Sequence, residues 1–311
     1  MTMTPLNGTP SNATPSNATP SNATPSNATP STAPIARRRR SFGYRINAVG
    51  IAGLTVISAW ALVAVFAPLL IPHPVGEIVD FDYFGPMSNT LWLGSDYLGR
   101  DMLSRIIMGA RYTVGISLAA VTIACFSGVV LGMIAAVAGG WIDTVLSRFL
   151  DAMNSIPSKL FGLVVVAAVG SSIPVLVMTL SVIYTPGAYR FARALAVNIN
   201  AMDFISVARI RGETIFYIIR SEILPNITGP VLADFGLRFV FIVLLLSGLS
   251  FLGLGVQPPN ADWGALVREN IGGLPFAAPA VIFPSLAIAS LTISVNMLID
   301  NLPRKIRDRS A

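Results

Sequence analysis

Asp203–Pro230, DFISVARIRGETIFYIIRSEILPNITGP, lies between two apolar runs, yet it is neither a short turn nor a hydrophobic helix. It carries Arg209, Arg211, Glu213, Arg220 and Glu222 among apolar residues. Ala208, Gly212, Ile215 and Ile219 fall near i, i+4, i+7 and i+11, which predicts one helical stripe with charges on much of the remaining surface. Leu224-Pro225-Asn226 predicts the end of that helix, because an interior proline removes a donor and clashes one turn back. Arginines and carboxylates at this density cannot cross a bilayer. The stretch fits the membrane surface, with a ridge offered to a soluble partner. Within the stripe, Gly212 would let another backbone or side chain approach closely.

The 311-residue chain is 53% hydrophobic and 12% charged, with a mean hydropathy of +0.69. Soluble domains carry about 25% charged residues. That deficit, with apolar runs of about 20 residues, indicates a polytopic membrane protein. The net charge of +6 does not point to nucleic acid, because the basic residues flank apolar spans as the positive-inside rule requires. Cys125 is the one cysteine, so no intrachain disulfide can form, and it reads as a small buried hydrophobe.

Residues 1–36 repeat the pentad T-P-S-N-A, whose regular prolines forbid a continuous helix or strand. This predicts a disordered tail, and the Asn12-Ala13-Thr14 sequons carry little weight on a cytoplasmic segment. Arg37–Arg40 and Arg45 precede the first predicted span, Asn47–Ile71. Arg39-Arg40-Ser41-Phe42 is like a twin-arginine export signal, but the span is too long for one and no small-residue cleavage site follows before Pro72. Residues 72–111 are polar, with three arginines against five carboxylates, which suits the outer side. Asp80-Phe81-Asp82 reads as a solvated acidic turn rather than a metal site.

The second span, about Tyr112–Ala138, repeats Ala120, Ala124, Gly128, Gly132, Ala136 and Gly140 every fourth residue, a packing face for this chain or a partner. Asp143, Arg148, Asp151 and Lys159 surround a short connection to a third span ending near Gly170. The fourth, about Val175–Leu195, contains Thr185-Pro186-Gly187, which predicts a kink or break. Arg190 and Arg193 mark its cytoplasmic end. The fifth, about Val231–Leu252, carries Asp234 and Arg238 at the spacing of a helical ion pair. The sixth, about Ala280–Ile299, precedes Arg304, Lys305, Arg307 and Arg309. Six spans with both termini inside agree with the sign of every loop. In the outer loop Ser250–Asn270, Gly253, Gly255, Pro258 and Pro259 force irregular backbone, and Trp263 fits an interfacial anchor.

Ala208, Gly212, Ile218 and Leu224-Pro225 match the A-x3-G and I-x5-L-P spacing of the EAA loop, and here the chain resembles the permease subunits of bacterial ABC importers. Ser206-Val207-Ala208 stands where that loop has Glu-Ala-Ala, and the nearest carboxylate is Glu213. LGSDYLGRDMLSRIIMGARYTVG, Leu93–Gly115, is similar to the L-G-T-D-x-x-G-R-D-x-x-S-R-x-x-x-G-A-R stretch of the C-type subunit of dipeptide and oligopeptide permeases, with Ser95 for Thr. Gly140, Asp143, Leu146, Arg148, Asp151 and Pro157 resemble a further family segment. SFLGLGVQPPNADWG, Ser250–Gly264, matches S-F-L-G-L-G-x-Q-P-P-x-x-D-W-G at every fixed position.

The resemblance runs from about residue 42 to 308 and implies an all-α integral membrane protein of the type I ABC importer permease fold, with six transmembrane helices and a cytoplasmic EAA-type coupling loop at 203–230. The implied divisions are the tail 1–36, a first helix and extracytoplasmic segment 37–111, and a permease core 112–311. Ser206, Ala208, Gly212, Glu213, Ile218, Leu224 and Pro225 are implied as the element that docks on ATPases. Gly253, Gly255, Gln257, Pro258, Pro259, Asp262 and Trp263 are implied as an extracytoplasmic motif near the substrate entrance. Implied partners are a second, B-type permease, two ATPase subunits, an extracytoplasmic substrate-binding protein and the lipid bilayer of the bacterial plasma membrane, but no nucleic acid. No cofactor is implied in this chain; ATP and Mg belong to the ATPase subunits.

The chain has no G-x-x-x-x-G-K-[ST] with which to cradle ATP phosphates. The expectation is a transport subunit, not an enzyme, forming half of the pathway for di/oligopeptides or related small solutes by alternating access. The alternative is a self-sufficient secondary transporter, which would place ionisable groups mid-membrane, whereas Asp234 and Asp300 lie towards span ends. An intramembrane enzyme lacks its parts: His73 is the sole histidine, and no H-E-x-x-H or Ser/His pair can be assembled.

Overall fold

The apolar runs leave their backbone groups no partner except one another, and helices are the result. The computed structural model describes residues 48–276 and 278–301. The chain divides into Met1–Gly43 and Tyr44–Ala311, and all described residues lie in the second unit. The expected tail, the arginines at 37–45 and the basic residues at 304–309 fall outside the described residues. Among the described residues there is no strand, only the isolated bridges Ile78–Arg100 and Ser95–Asp101.

Helix α1 (Ala48–Leu70) is long and apolar enough to cross a membrane, as is α2 (Met102–Ala138). Next, α3 (Gly140–Asn154) and α4 (Ser158–Val169) meet at 82° and form a crossing only as a bent pair. Two further crossings follow, α5 (Ile173–Asn200) and a continuous rod Ile215–Phe251 whose main part is α8 (Leu224–Phe251). Between them lie α6 (Asp203–Ile210) and α7 (Ile215–Tyr217), the latter being the first turn of that rod. The short α9 (Trp263–Glu269) and the spanning α10 (Pro279–Asp300) complete the fold.

Two boundaries differ from expectation, each for a local reason. Helix α2 begins at Met102, not Tyr112, because Asp101 caps it by accepting from the amides of Leu103 and Ser104 at 3.2 and 3.1 Å. Asp143, Arg148 and Asp151 lie on helix α3, so the short connection is Ser155–Pro157, before the proline that opens α4. Of the kink or break expected at Thr185-Pro186-Gly187, the break does not occur, since helix α5 is continuous there. There the Arg238 guanidinium occupies the space beside Gly187, and Arg238 pairs with Asp234 at 2.5 and 3.0 Å, as their spacing predicts.

The small-residue face of α2 meets its own chain. A Cβ added at Gly128 would lie 2.8 Å from the Tyr189 amide, and one at Gly132 would lie 2.8 Å from that of Arg193, both on α5. Gly140 is not part of this face: with Gly139 it turns the chain into α3 at φ of +55° and +60°. Helix α3 is tied to the C-terminal half of α5 by Asp143–Arg193 at 2.5 Å, Asp151–Arg190 at 2.6 Å and Ser147–Tyr189 at 2.8 Å. One apolar cluster packs around Leu176, Leu246 and Trp263, and a second around Met133, Ile199, Ile218 and Ile227. The two expected site regions lie at opposite ends of this bundle.

Candidate functional site

The segment Asp203–Pro230 hangs from the ends of α5 and α2. Asn200 joins them: its Nδ2 donates to the Ala136 carbonyl at 3.0 Å, and its Oδ1 accepts from Arg209 at 2.9 Å. Helix α6 then stops in a Schellman motif. The Gly212 amide donates to the Arg209 carbonyl at 3.0 Å and the Glu213 amide to that of Ala208 at 3.2 Å, with Gly212 at φ +78°. The A-x3-G spacing is thus the spacing of this cap. Ala208 supplies the carbonyl and a buried face, and Gly212 supplies the left-handed turn that a side chain would strain.

The single stripe through Ala208, Gly212, Ile215 and Ile219 is therefore corrected to two helices. The break resets the helical phase, so Ile205 and Ala208 are buried in the first piece and Ile218 and Ile223 in the second. Gly212 and Ile215 are exposed. Nor does Gly212 admit a close neighbour: no atom lies within 4 Å of where its Cβ would be. Thr214 restarts the rod by accepting from the Tyr217 amide at 3.3 Å.

Leu224-Pro225 does not end a helix. Residues Ile218–Ile223 form a π turn, in which the Leu224 amide bonds back to Ile219, and Pro225 sits in the first turn of α8. The widened turn moves the carbonyl that the proline ring would otherwise strike, so the rod continues. Ser206, Val207, Ile210, Ile215 and Phe216 remain exposed around Gly212, with Ile210 at 86% and Phe216 at 69%. Arg211 and Glu213 approach to 3.7 Å on this surface.

At the opposite end, α8 also stops in a Schellman motif: Gly253 donates to Ser250 and Leu254 to Leu249, both at 2.9 Å, with Gly253 at φ +91°. Here the glycine is enclosed, with the Arg268 guanidinium 2.9–3.1 Å from the position of an added Cβ. The Gln257 side-chain amide donates to the carbonyls of Gly253 and Gly255 at 3.2 and 3.0 Å. Gly255 leaves room for Ser250, and Pro258-Pro259 is cis.

Asp262 caps α9, accepting from Gly264 at 3.1 Å and Val256 at 3.4 Å. Burial away from water pushes its carboxyl up to about 6, against the lowering by these hydrogen bonds. Trp263 is not an interfacial anchor: it is fully buried, donating from Nε1 to Ile106 at 3.0 Å and stacking edge-on to Trp60 at 4.7 Å. Gly264 brings α9 against the backbone of Ser247.

An ion network locks this cap to α2. Asp96 accepts from Arg100 at 2.7 Å and Arg105 at 2.5 Å, and Glu269 accepts from the same arginines at 3.0 and 2.8 Å. Arg105 is buried, and its Nε and Nη2 have no hydrogen-bond partner among the described residues. Asn270 accepts from the Tyr97 amide at 3.0 Å. In the sequence, Asp96, Arg100 and Arg105 read as loop charge and as fixed positions of the family stretch, while Glu269 and Asn270 carry no signal of a role. The available signal was an arginine at the start of a spanning helix, which demands a buried counter-charge without saying which. Beneath α9, an apolar groove of about 510 Å³ runs between α8 and α10, lined by Leu244, Gly248, Phe251, Ile288, Thr292 and Ile293.

Residues 128–308 match the family described as "Binding-protein-dependent transport system inner membrane component". The chain is 33% identical over 256 residues to a dipeptide transport system permease protein of Alkalihalophilus pseudofirmus, covering 82% of this chain and 84% of that one. It is 34% identical over 253 residues to a glutathione transport system permease protein of Pectobacterium atrosepticum, covering 81% and 83%. A dipeptide transport system permease protein of Haemophilus influenzae is 30% identical over 267 residues, covering 84% and 90%.

Proposed function

We propose, for a chain that belongs to the inner membrane components of binding-protein-dependent transport systems, that its coupling segment converts ATPase movement into tilting of α5 and α8 and so moves short peptides or related solutes inward. It is a multi-pass permease subunit of an ABC importer, not itself an enzyme, and it works with an ATPase and a substrate-binding protein. We assign it the C-type half of the pathway, opposite a B-type permease, with two ATPase subunits that hold ATP and Mg. In this reading Asp203–Pro230 faces the cytoplasm with both chain ends, and the cap at Gly253–Asn270 faces outward.

The observation that carries the reading is the exposed ridge around Gly212. Val207, Ile210, Ile215 and Phe216 stand clear of the bundle, while Ala208 and Ile218 bind it. A movable partner can grip the first set and pull the second. The ridge joins α5 directly through Asn200 and α8 through the π turn, so a displacement there reaches two spans. Solute specificity follows the relatives named for dipeptides and glutathione, both short peptides with an ammonium group and a carboxylate.

The test is affinity purification of this subunit in mild detergent, followed by reconstitution with whatever copurifies. Recovery of a second permease and ATPases, with ATP-dependent uptake of a labelled dipeptide or glutathione into vesicles, is the expected result. A subunit that purifies alone and moves solute without ATP would overturn the reading.

A further inference from the structure

Helix α3 packs against α5 and leaves a polar cleft of about 500 Å³ between them. Its walls carry the guanidiniums of Arg148, Arg190 and Arg193 and the carboxylates of Asp143 and Asp151. Two of the arginines are paired there. Arg193 bonds Asp143 through Nε and Nη2 at 2.5 and 2.6 Å, and Arg190 meets Asp151 through Nε and Nη2 at 2.8 and 2.6 Å. The Nη1 of each keeps no partner among the described residues, and the Arg190–Asp151 pair is half exposed. Arg148 is exposed and makes no ion pair among the described residues. The cleft therefore holds one more cation than it holds anions, with donors left over on all three arginines.

Its depth is set by α5. From Ile173, where that helix starts, Arg190 and Arg193 lie about 26 and 30 Å along the axis. A bilayer's hydrocarbon core is about 30 Å thick, so the cleft opens where hydrocarbon gives way to phosphates. Beside it, Trp141, Val145 and Phe149 recur every fourth residue of α3, and all three are exposed. Arg148 follows Trp141 by two turns, which puts it on the border between this apolar strip and the cleft. A lone carboxylate from a neighbouring protein would answer Arg148 and leave most of the space unfilled. A phosphate accepts from several guanidiniums at once.

We propose that this cleft binds a phosphate-bearing anion, held by Arg148 and by the open Nη1 groups of Arg190 and Arg193. The depth and the apolar strip point to the headgroup of an anionic phospholipid, with its chains along Trp141, Val145 and Phe149. A soluble phosphate would use the same donors. The inner leaflet as the source rests on the permease reading; the anion chemistry does not.

The test uses the purified complex, stripped of lipid in neutral detergent. The probes are phosphatidylglycerol and phosphatidylcholine, counted by native mass spectrometry, and inorganic phosphate, followed by calorimetric titration. Wild type should retain phosphatidylglycerol over phosphatidylcholine. Arg148→Gln should weaken that binding about fivefold, and Arg148→Lys less. Asp151→Asn removes a carboxylate and releases Arg190, so it should strengthen the binding. Inorganic phosphate that binds alone, displaces phosphatidylglycerol and depends on Arg148 would uphold the site and assign it to a soluble source. Equal retention of both lipids without phosphate binding, or binding that Arg148→Gln leaves unchanged, would overturn the proposal. So would loss of a second permease from the Arg148→Gln complex with anion binding intact, since Arg148 would then belong to a protein interface. ATP-dependent uptake is measured on the same preparations. Wild type without it, but with Arg148-dependent binding, would remove the permease reading and leave the anion site standing.

Discussion

Gly212 and Gly253 occupy the same position in the same helix-ending motif at opposite ends of the molecule, and their surroundings are opposite. Both have positive φ, and both are followed by the amide that bonds five residues back. Around Gly212 there is open space, and the residues beside it are exposed hydrophobics. Around Gly253 the Arg268 guanidinium fills the space, and the Gln257 side chain donates to its carbonyl. One local code therefore builds a handle at one end and a lock at the other. The backbone chemistry is shared; the difference lies in what packs on the cap. The proposed coupling mechanism uses both, a ridge that a partner can reach and a cap that holds its shape.

The largest effect is expected where the lock is most buried. Arg105→Met removes the cation bonded to both Asp96 and Glu269, leaving two carboxylates to one remaining arginine. Uncompensated buried charge of this kind costs about 3–5 kcal/mol. Thermal unfolding in detergent should fall clearly below wild type. The double variant Arg105→Met, Glu269→Gln should recover part of the loss, because the unpaired charge leaves with its partner. No recovery would mean that Arg105 acts by packing alone.

The two glycines then separate strain from packing. Gly212→Ala pays only for left-handed backbone, about 1–2 kcal/mol and confined to the segment. Gly253→Ala pays the same and must also displace Arg268. The outer substitution should therefore lower stability more than the inner one, measured side by side by thermal unfolding. Equal losses would show that the enclosure of Gly253 is soft.

The handle has its own test. Gly212→Trp and Gly212→Ala carry the same backbone strain, but only the tryptophan adds bulk to the exposed ridge. The tryptophan variant should copurify with ATPase at a fraction of the yield of the alanine variant, at the same unfolding temperature. Equal yields would remove the ridge from the coupling interface.

Much of this was legible from the chain. The spans followed from apolar length, and α1, α5 and α10 end within a few residues of their expected limits. The Asp234–Arg238 pair followed from helical spacing. What could not be read was of two kinds. At Gly212 a periodic stripe was assumed to continue through a residue that reverses φ, so the phase beyond it was wrong by construction. At the outer cap, Glu269 meets arginines more than 160 positions away in sequence. Spacing rules act within one helix and carry no information on such pairs. The small-residue face of α2 shows the same limit: its pattern predicted a neighbour, and only the fold identified α5.

The smallest effect concerns Asp262, which is both a cap and a buried carboxyl. Desolvation raises its folded pKa to about 6, above the ordinary carboxylate value. Between about pH 4 and pH 6 the native state then holds a proton that the unfolded chain has released, so stability falls as pH rises through that window and levels above it. Asp262→Asn keeps an acceptor for the Gly264 amide and cannot ionise. Its unfolding temperature should be less pH-dependent than that of wild type from pH 4 to 6, with the two curves diverging as Asp262 ionises. Parallel curves would show that burial does not raise the Asp262 pKa above its unfolded value, the Val256 and Gly264 amides offsetting the desolvation.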